Sequence, residues 1–278
     1  MRTIVHFSDI HFGRFDELLR APLLESIASL RPDLVVVSGD LTQRARPLEF
    51  AEARRFLNEL PTPYIVVPGN HDVPLHNVYH RLARPLSAYR RHITPDLTPF
   101  YSDQEIAVLG INTARSLIWK NGRVNPRQIA CIRERFGDVP PGVTKILVTH
   151  HPFDLPEHYS ASDLVGRAGL AMATIASCSV DLLLAGHFHL SHAGETAFRY
   201  GMHGHSAIFV QAGTLSTRGR GEENSFNAIR VDRREIAIER FTWSDAGAGF
   251  VRTLQERFTR TASGWARPGD RDGSVGRG

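Results

Sequence analysis

Five short strings carry the kinds of side chain that hold metal ions. They are Asp9-Ile10-His11, Ser38-Gly39-Asp40-Leu41, Pro68-Gly69-Asn70-His71-Asp72, Thr149-His150-His151-Pro152 and Gly186-His187-Phe188-His189. Taken singly, each has an ordinary explanation. Asp-x-His also reads as a helix cap followed by a surface histidine, and Gly-Asp at a strand end as a helix N-cap. Asn-His-Asp after Pro-Gly also reads as an Asx-turn, and His150 or His151 as a hydrogen-bonded core imidazole. The set says more than its members. It pools two Asp, one Asn and four His in Asp9, Asp40, Asn70, His11, His150, His187 and His189. Mixed nitrogen and oxygen donors of this kind suit borderline ions such as Zn, Mn, Fe, Co or Ni. A structural zinc site is usually closed by Cys or His, and Cys131 and Cys178 have no close-spaced partner.

Spacing adds expectations about direction. Residues two apart in extended chain point to one side, so Asp9 with His11, and His187 with His189, should each share an ion. Adjacent His150 and His151 should point oppositely, leaving one of them at the site and the other to brace a ligand by a hydrogen bond.

Each string follows a short apolar run too brief for a helix: Thr3–Phe7, Leu34–Val37, Tyr64–Val67, Lys145–Val148 and Asp181–Leu184. Similar runs occur at Ile106–Ile111, Ala207–Gln211, Asn227–Val231 and Glu235–Phe241. These read as strands buried on one or both faces. Between them lie stripes of helical period: Leu18 to Leu30, Phe50 to Leu60, Val78 to Tyr89, Ile129 to Phe136 behind Asn125-Pro126, and Leu170 to Ser177. The β-α-β-α-β order predicts an α/β protein with crossover connections. In such sheets ligands bind at the C-terminal strand edge, where all five strings fall. The last third, after Gly186, reads as strand after strand and predicts a second, more antiparallel sheet. A single domain is expected over residues 1–260. The Gly/Arg/Asp-rich stretch 261–278 is expected to be a flexible tail.

Composition bounds the partners. The chain has 278 residues, 42% hydrophobic and 22% charged, with a net charge of +4. It shows no dense basic run, which argues against nucleic acid. No window approaches a membrane span and no secretion-type apolar segment opens the chain, so a cytoplasmic protein is expected. Homo-oligomerisation is left open.

The order D-x-H, G-D, G-N-H-D, H, G-H-x-H resembles the calcineurin-like metallophosphoesterases over Asp9 to His189, about two-thirds of the chain. The resemblance implies a four-layer α/β/β/α sandwich of two mixed sheets flanked by helices. It implies two metal ions (Mn, Fe, Zn or Co). Asp9, His11, Asp40 and His189 would hold one, and Asp40, Asn70, His150 and His187 the other, with Asp40 bridging. It implies hydrolysis of a small phosphate-ester substrate by in-line attack of a metal-bridging hydroxide. His71 would stabilise the transition state or protonate the leaving group, and Asp72 would orient His71. The Asp40-Leu41-Thr42-Gln43 string lacks the later Asp and Arg of protein phosphatases. It is similar to bacterial cyclic-nucleotide and glycerophosphodiester phosphodiesterases, departing from their G-D-L-T-D at Gln43. A monoesterase, a nucleotide-linked pyrophosphate hydrolase and a catalytically silent scaffold are the alternatives. Arg218, Arg220 and Asn224, in a polar basic segment after a strand, are candidate substrate contacts because guanidinium groups suit phosphate.

Overall fold

The structure, a computed structural model, describes residues 1–75, 78–118, 120–200, 204–219 and 221–269. Among the described residues thirteen strands lie in chain order: β1 Arg2–Phe7, β2 Leu34–Val37, β3 Tyr64–Val66, β4 Phe100–Ser102, β5 Ile106–Gly110, β6 Thr144–Val148, β7 Leu182–Ala185, β8 His192–Glu195, β9 Ile208–Gln211, β10 Ser225–Val231, β11 Glu235–Ser244, β12 Gly249–Thr261 and β13 Gly264–Ala266. The helices are α1 Arg20–Leu30, α2 Pro47–Asn58, α3 Val78–Ala83, α4 Ser87–His92, α5 Pro126–Gly137, α6 Ala168–Ser177 and α7 Ala197–Tyr200.

The strands form two sheets. One has the order β13-β12-β11-β10-β1-β2-β3, the other β4-β5-β6-β7-β9-β8. Alternate residues of the apolar runs bury into different layers. Ile4, Leu34, Val36, Ile146, Val148, Leu182 and Leu184 pack between the sheets. Val5, Phe7, Val35 and Val37 face the outer layer that holds Leu23 and Ile27 of α1 and Phe50 and Phe56 of α2. Leu147 and Leu183 face Ile132 and Phe136 of α5 and Met172 and Ile175 of α6. Burial on both faces explains why these strands read as continuous apolar runs. The result is the expected four-layer sandwich.

Three expectations are corrected. The last third builds no sheet of its own. β10 to β13 extend the first sheet antiparallel from β1, while β8 and β9 join the second. The helix expected from Val78 to Tyr89 is two helices, because Pro85 offers no N–H and disfavours helical backbone before it. The domain also does not stop at residue 260. β13 pairs with β12, and its Trp265 is fully buried between the sheets. The Trp265 indole N–H donates to Asp181 Oδ1 at 2.8 Å, and Arg260 reaches the same oxygen at 2.9 Å. The rest of the expected tail, 270–278, lies outside the described residues, as do Arg220 and His76. Among the described residues no helix is long and apolar enough to cross a membrane.

Trp265→Ala is expected to destabilise the protein by about 3–5 kcal/mol, through the cavity left and the unpaired Asp181 oxygen. Urea denaturation checks this, and a loss below about 1 kcal/mol would return these residues to the tail.

Candidate metal centre

The five strings meet where the C-terminal edges of the two sheets come together. Two turns are locked by close approach. A Cβ on Gly69 would lie 2.1 Å from Asp40 Oδ1, and one on Gly186 would lie 1.9 Å from Ser8 Oγ and 2.5 Å from Asp9 Oδ2. Glycine is therefore required at both positions.

Backbone amides of distant strings orient the carboxylates. Asp9 Oδ2 accepts from the His187 N–H at 2.9 Å, and Asp40 Oδ1 accepts from the His71 N–H at 2.8 Å. The other oxygen of each carboxylate points at imidazoles. Asp9 Oδ1 lies 3.2 Å from His189 Nε2 and 3.6 Å from His11 Nε2. Asp40 Oδ2 lies 3.7 Å from His11 Nε2 and 3.4 Å from His150 Nε2. Asn70 Oδ1 lies 3.2 Å from His150 Nε2 and 3.1 Å from His187 Nδ1. Two donor sets result, one of Asp9, His11, His189 and Asp40, the other of Asp40, Asn70, His150 and His187.

Both sets fit metal ions on three observations. Ligand atoms about 2.1 Å from one ion stand roughly 3.0–3.4 Å apart, close to the spacings found. Asp9 Oδ1 is buried without a hydrogen-bond donor. The imidazole tautomers also turn lone pairs inward. His150 Nδ1 donates to the Ser38 carbonyl at 2.8 Å and His189 Nδ1 to the Arg218 carbonyl at 2.9 Å, which leaves both Nε2 atoms as acceptors in the neutral rings. Convergent acceptors of this kind call for a positive charge between them, a proton or a metal cation.

The electrostatics agree. Burial alone would raise the carboxyls of Asp9 and Asp40, but the surrounding imidazoles hold both well below the ordinary carboxylate range. Burial opposes charge on His150, yet Asp40 and Asp9 push it up to about 9. Burial, then the charge of His150, drops His187 to about 3.

The approach of the strings differs from the extended-chain expectation. Asp9, His11, Asp40, His187 and His189 all have left-handed backbone, with φ between 50° and 78°. Asp and His tolerate this region better than most side chains. The curl sends His187 to Asn70 and His150, while His189 goes to Asp9 and His11, so H-x-H divides between the sets. His151 does not turn away. Its ring packs 4.7 Å from the ring of His187, its Nδ1 meets Thr113 Oγ1 at 2.8 Å, and it makes no hydrogen bond to a candidate ligand.

Asp72 also departs from expectation. Its buried carboxylate takes the N–H groups of Leu41, Thr42 and Gly69 and the Thr42 hydroxyl, at 2.9–3.2 Å. It staples the third string to the second and does not touch the His71 ring. That ring is oriented by the Gln43 carbonyl, which accepts from Nδ1 at 2.9 Å. A main-chain oxygen leaves no mark in a sequence, so this partner was invisible there. Arg218 stands at the site, with Nη1 3.0 Å from His71 Nε2. Asn224 does not face the donor sets. Its amide is spent on the carbonyls of Thr214 and Ser216, holding the loop that carries Arg218.

This geometry has relatives. The calcineurin-like phosphoesterase family model matches residues 2–191, and the chain belongs to that family of metal-dependent phosphoesterases. A glycerophosphodiester phosphodiesterase (GpdQ) from Enterobacter lignolyticus is 38% identical over 80 residues, covering 25% of this chain and 29% of that enzyme's length. An uncharacterised Bacillus subtilis protein, YpbG, is 26% identical over 230 residues, 79% of this chain and 73% of its own. A dimetal phosphatase from Danio rerio shares the fold, with a TM-score of 0.67 at 12% identity over 94% of this chain and 99% of that one.

Two outcomes follow. Asp72→Ala should destabilise the metal-free protein by about 3 kcal/mol or more, because four buried donors lose their acceptor. Chemical denaturation distinguishes this from a role confined to His71, which would leave stability unchanged. The second concerns pH. His150 is raised from 6.5 to about 9, so its proton stabilises the metal-free fold fully below pH 6.5, and that stability is lost as pH rises through about 9. Melting curves should show this decline without metal and lose it when an ion replaces the proton.

Proposed function

We propose that the chain is a dinuclear metal-dependent phosphodiesterase acting on small diesters, glycerophosphodiesters and cyclic nucleotides being the nearest substrate classes. One observation carries the reading: Asp40 Oδ2 lies within 3.7 Å of His11 Nε2 and 3.4 Å of His150 Nε2, and so belongs to both donor sets. In this reading Asp9, His11, Asp40 and His189 hold one ion, and Asp40, Asn70, His150 and His187 the other. Bound ions supply charge neutralisation of the phosphoryl oxygens and a lowered pKa for the attacking water.

The remaining work falls to His71 and Arg218. The Gln43 carbonyl only accepts, so His71 Nδ1 carries a hydrogen and Nε2 faces outward. Arg218 only donates, so Nε2 accepts from it in the free protein. An arriving phosphate competes for that guanidinium, which suits its oxygens in fork geometry. Once Arg218 turns to the phosphate, Nε2 is free to take a proton from solvent and deliver it to the departing alkoxide. Asn70, His71 and His187 are only partly buried, and this side of the site admits the ester. The stretch similar to a glycerophosphodiester phosphodiesterase supports a diester in preference to a monoester.

Chelation should abolish hydrolysis of bis(p-nitrophenyl) phosphate and Mn²⁺ should restore it. His71→Ala should keep its metal content and lose about 10²-fold or more in kcat on a glycerophosphodiester, whose alkoxide needs a proton. The loss should be smaller on the p-nitrophenyl ester, whose phenolate leaves without one. Full activity after chelation, or equal losses on both esters, would contradict the proposed roles. A panel of cyclic nucleotides, glycerophosphodiesters, phosphomonoesters and nucleotide-linked pyrophosphates ranks the substrate classes.

A further inference from the structure

A second feature lies beside the metal centre and takes no part in it. A cavity of about 510 Å³ opens between the segment 44–47, the turn at Pro74 and Leu75, and helix α4. Arg44, Arg46, Arg91, His80 and His92 are among the residues that line it, and no Asp or Glu lines it among the described residues. The nearby acid, Glu49, is buried, and it is occupied by the backbone N–H groups of Arg44 and Arg46 at 2.8 and 3.2 Å. The guanidinium of Arg46 is only loosely associated with it, at 4.0 Å. Those of Arg44 and Arg91 have no ion-pair or hydrogen-bond partner among the described residues.

Scattered surface arginines need no explanation, since each can be solvated alone. Here three gather around one hollow that no Asp or Glu lines among the described residues, which raises the potential inside it and concentrates anions there. The planar fork of arginine matches phosphate oxygens in pairs. We propose that this cavity is a second phosphate-binding site, and that it holds an additional phosphate carried by the ester under hydrolysis.

Position argues for that source. The cavity and the metal centre are built on the same two loops. Arg44 directly follows Gln43, whose carbonyl orients His71. Pro74 follows Asn70 by four residues, a reach of at most about 14 Å. A diester held at the metal centre can therefore extend a phosphate-bearing arm across this rim. The substrate class becomes a diester with a second, terminal phosphate. This step rests on the phosphodiesterase reading above, whereas the anion site itself does not.

The test uses the metal-loaded enzyme and two chromogenic esters that differ by one group. One is the p-nitrophenyl ester of thymidine 5′-phosphate, and the other is the same ester bearing a 3′-phosphate. Each exposed guanidinium contributes a few-fold, so the wild type should favour the 3′-phosphorylated ester by about tenfold in kcat/KM. The Arg44→Ala/Arg91→Ala double variant should lose this preference and keep its turnover of bis(p-nitrophenyl) phosphate. In parallel, phenylglyoxal modification of Arg44 and Arg91 is mapped by mass spectrometry with and without pyrophosphate. Preference together with protection supports the substrate's own phosphate. Protection without preference keeps the anion site and makes free phosphate its ligand, overturning the substrate assignment. Absence of both preference and protection overturns the proposal entirely. If no p-nitrophenyl ester is turned over, the phosphodiesterase reading fails by itself, and protection still decides the anion site.

Discussion

Two carboxylates buried at the junction of two sheets govern this molecule. Asp9 and Asp40 are 0% and 1% exposed, and each keeps its charge at a depth where an unpaired charge costs several kcal/mol. The fold meets that cost by dividing each carboxylate. One oxygen takes a backbone N–H from a string far away in sequence, and the other turns toward imidazoles. The first set of bonds ties strand ends together without metal. The second set leaves acceptors facing one another, an arrangement that a bound cation completes.

Backbone strain follows from the same constraint. Five of the seven candidate ligands have positive φ, which costs about 1 kcal/mol or more each. A strand end continuing in extended conformation would run past the junction. The left-handed curl turns the chain back so that side chains from both sheets converge. The sheets can bear this strain because their strands are buried on both faces and paired in register up to the last residue before each turn.

Much of this was legible in the residues alone. Strands buried on both faces announce themselves as apolar runs, and the five strings at their ends mark the junction. What was illegible has specific causes. β12 carries Arg252, Gln255, Glu256 and Arg257 among its apolar residues, because much of its length is exposed and has no need to read as apolar. Trp265 sits in a Gly-rich, charged context, and only its burial reveals that it plugs the space between the sheets. Asp72 is adjacent to His71, yet its carboxylate turns to the opposite loop, a direction that adjacency does not encode. The division of His187 from His189 depends on positive φ at both residues, where the extended-chain rule for side-chain direction no longer applies.

The strand order of the first sheet bears on how the chain is made. β1 lies between β2 and β10, so one of its edges stays unpaired until residues 225–231 have been synthesised. Every candidate ligand, from Asp9 to His189, leaves the ribosome before that strand does. The nascent chain therefore exposes its metal-seeking side chains on an incomplete sheet, with an open strand edge beside them. Closure must await a pairing more than 200 residues distant in sequence, which makes for slow, late-cooperative folding. A cation captured early would have to be held by loops whose curvature the finished sheet alone can enforce.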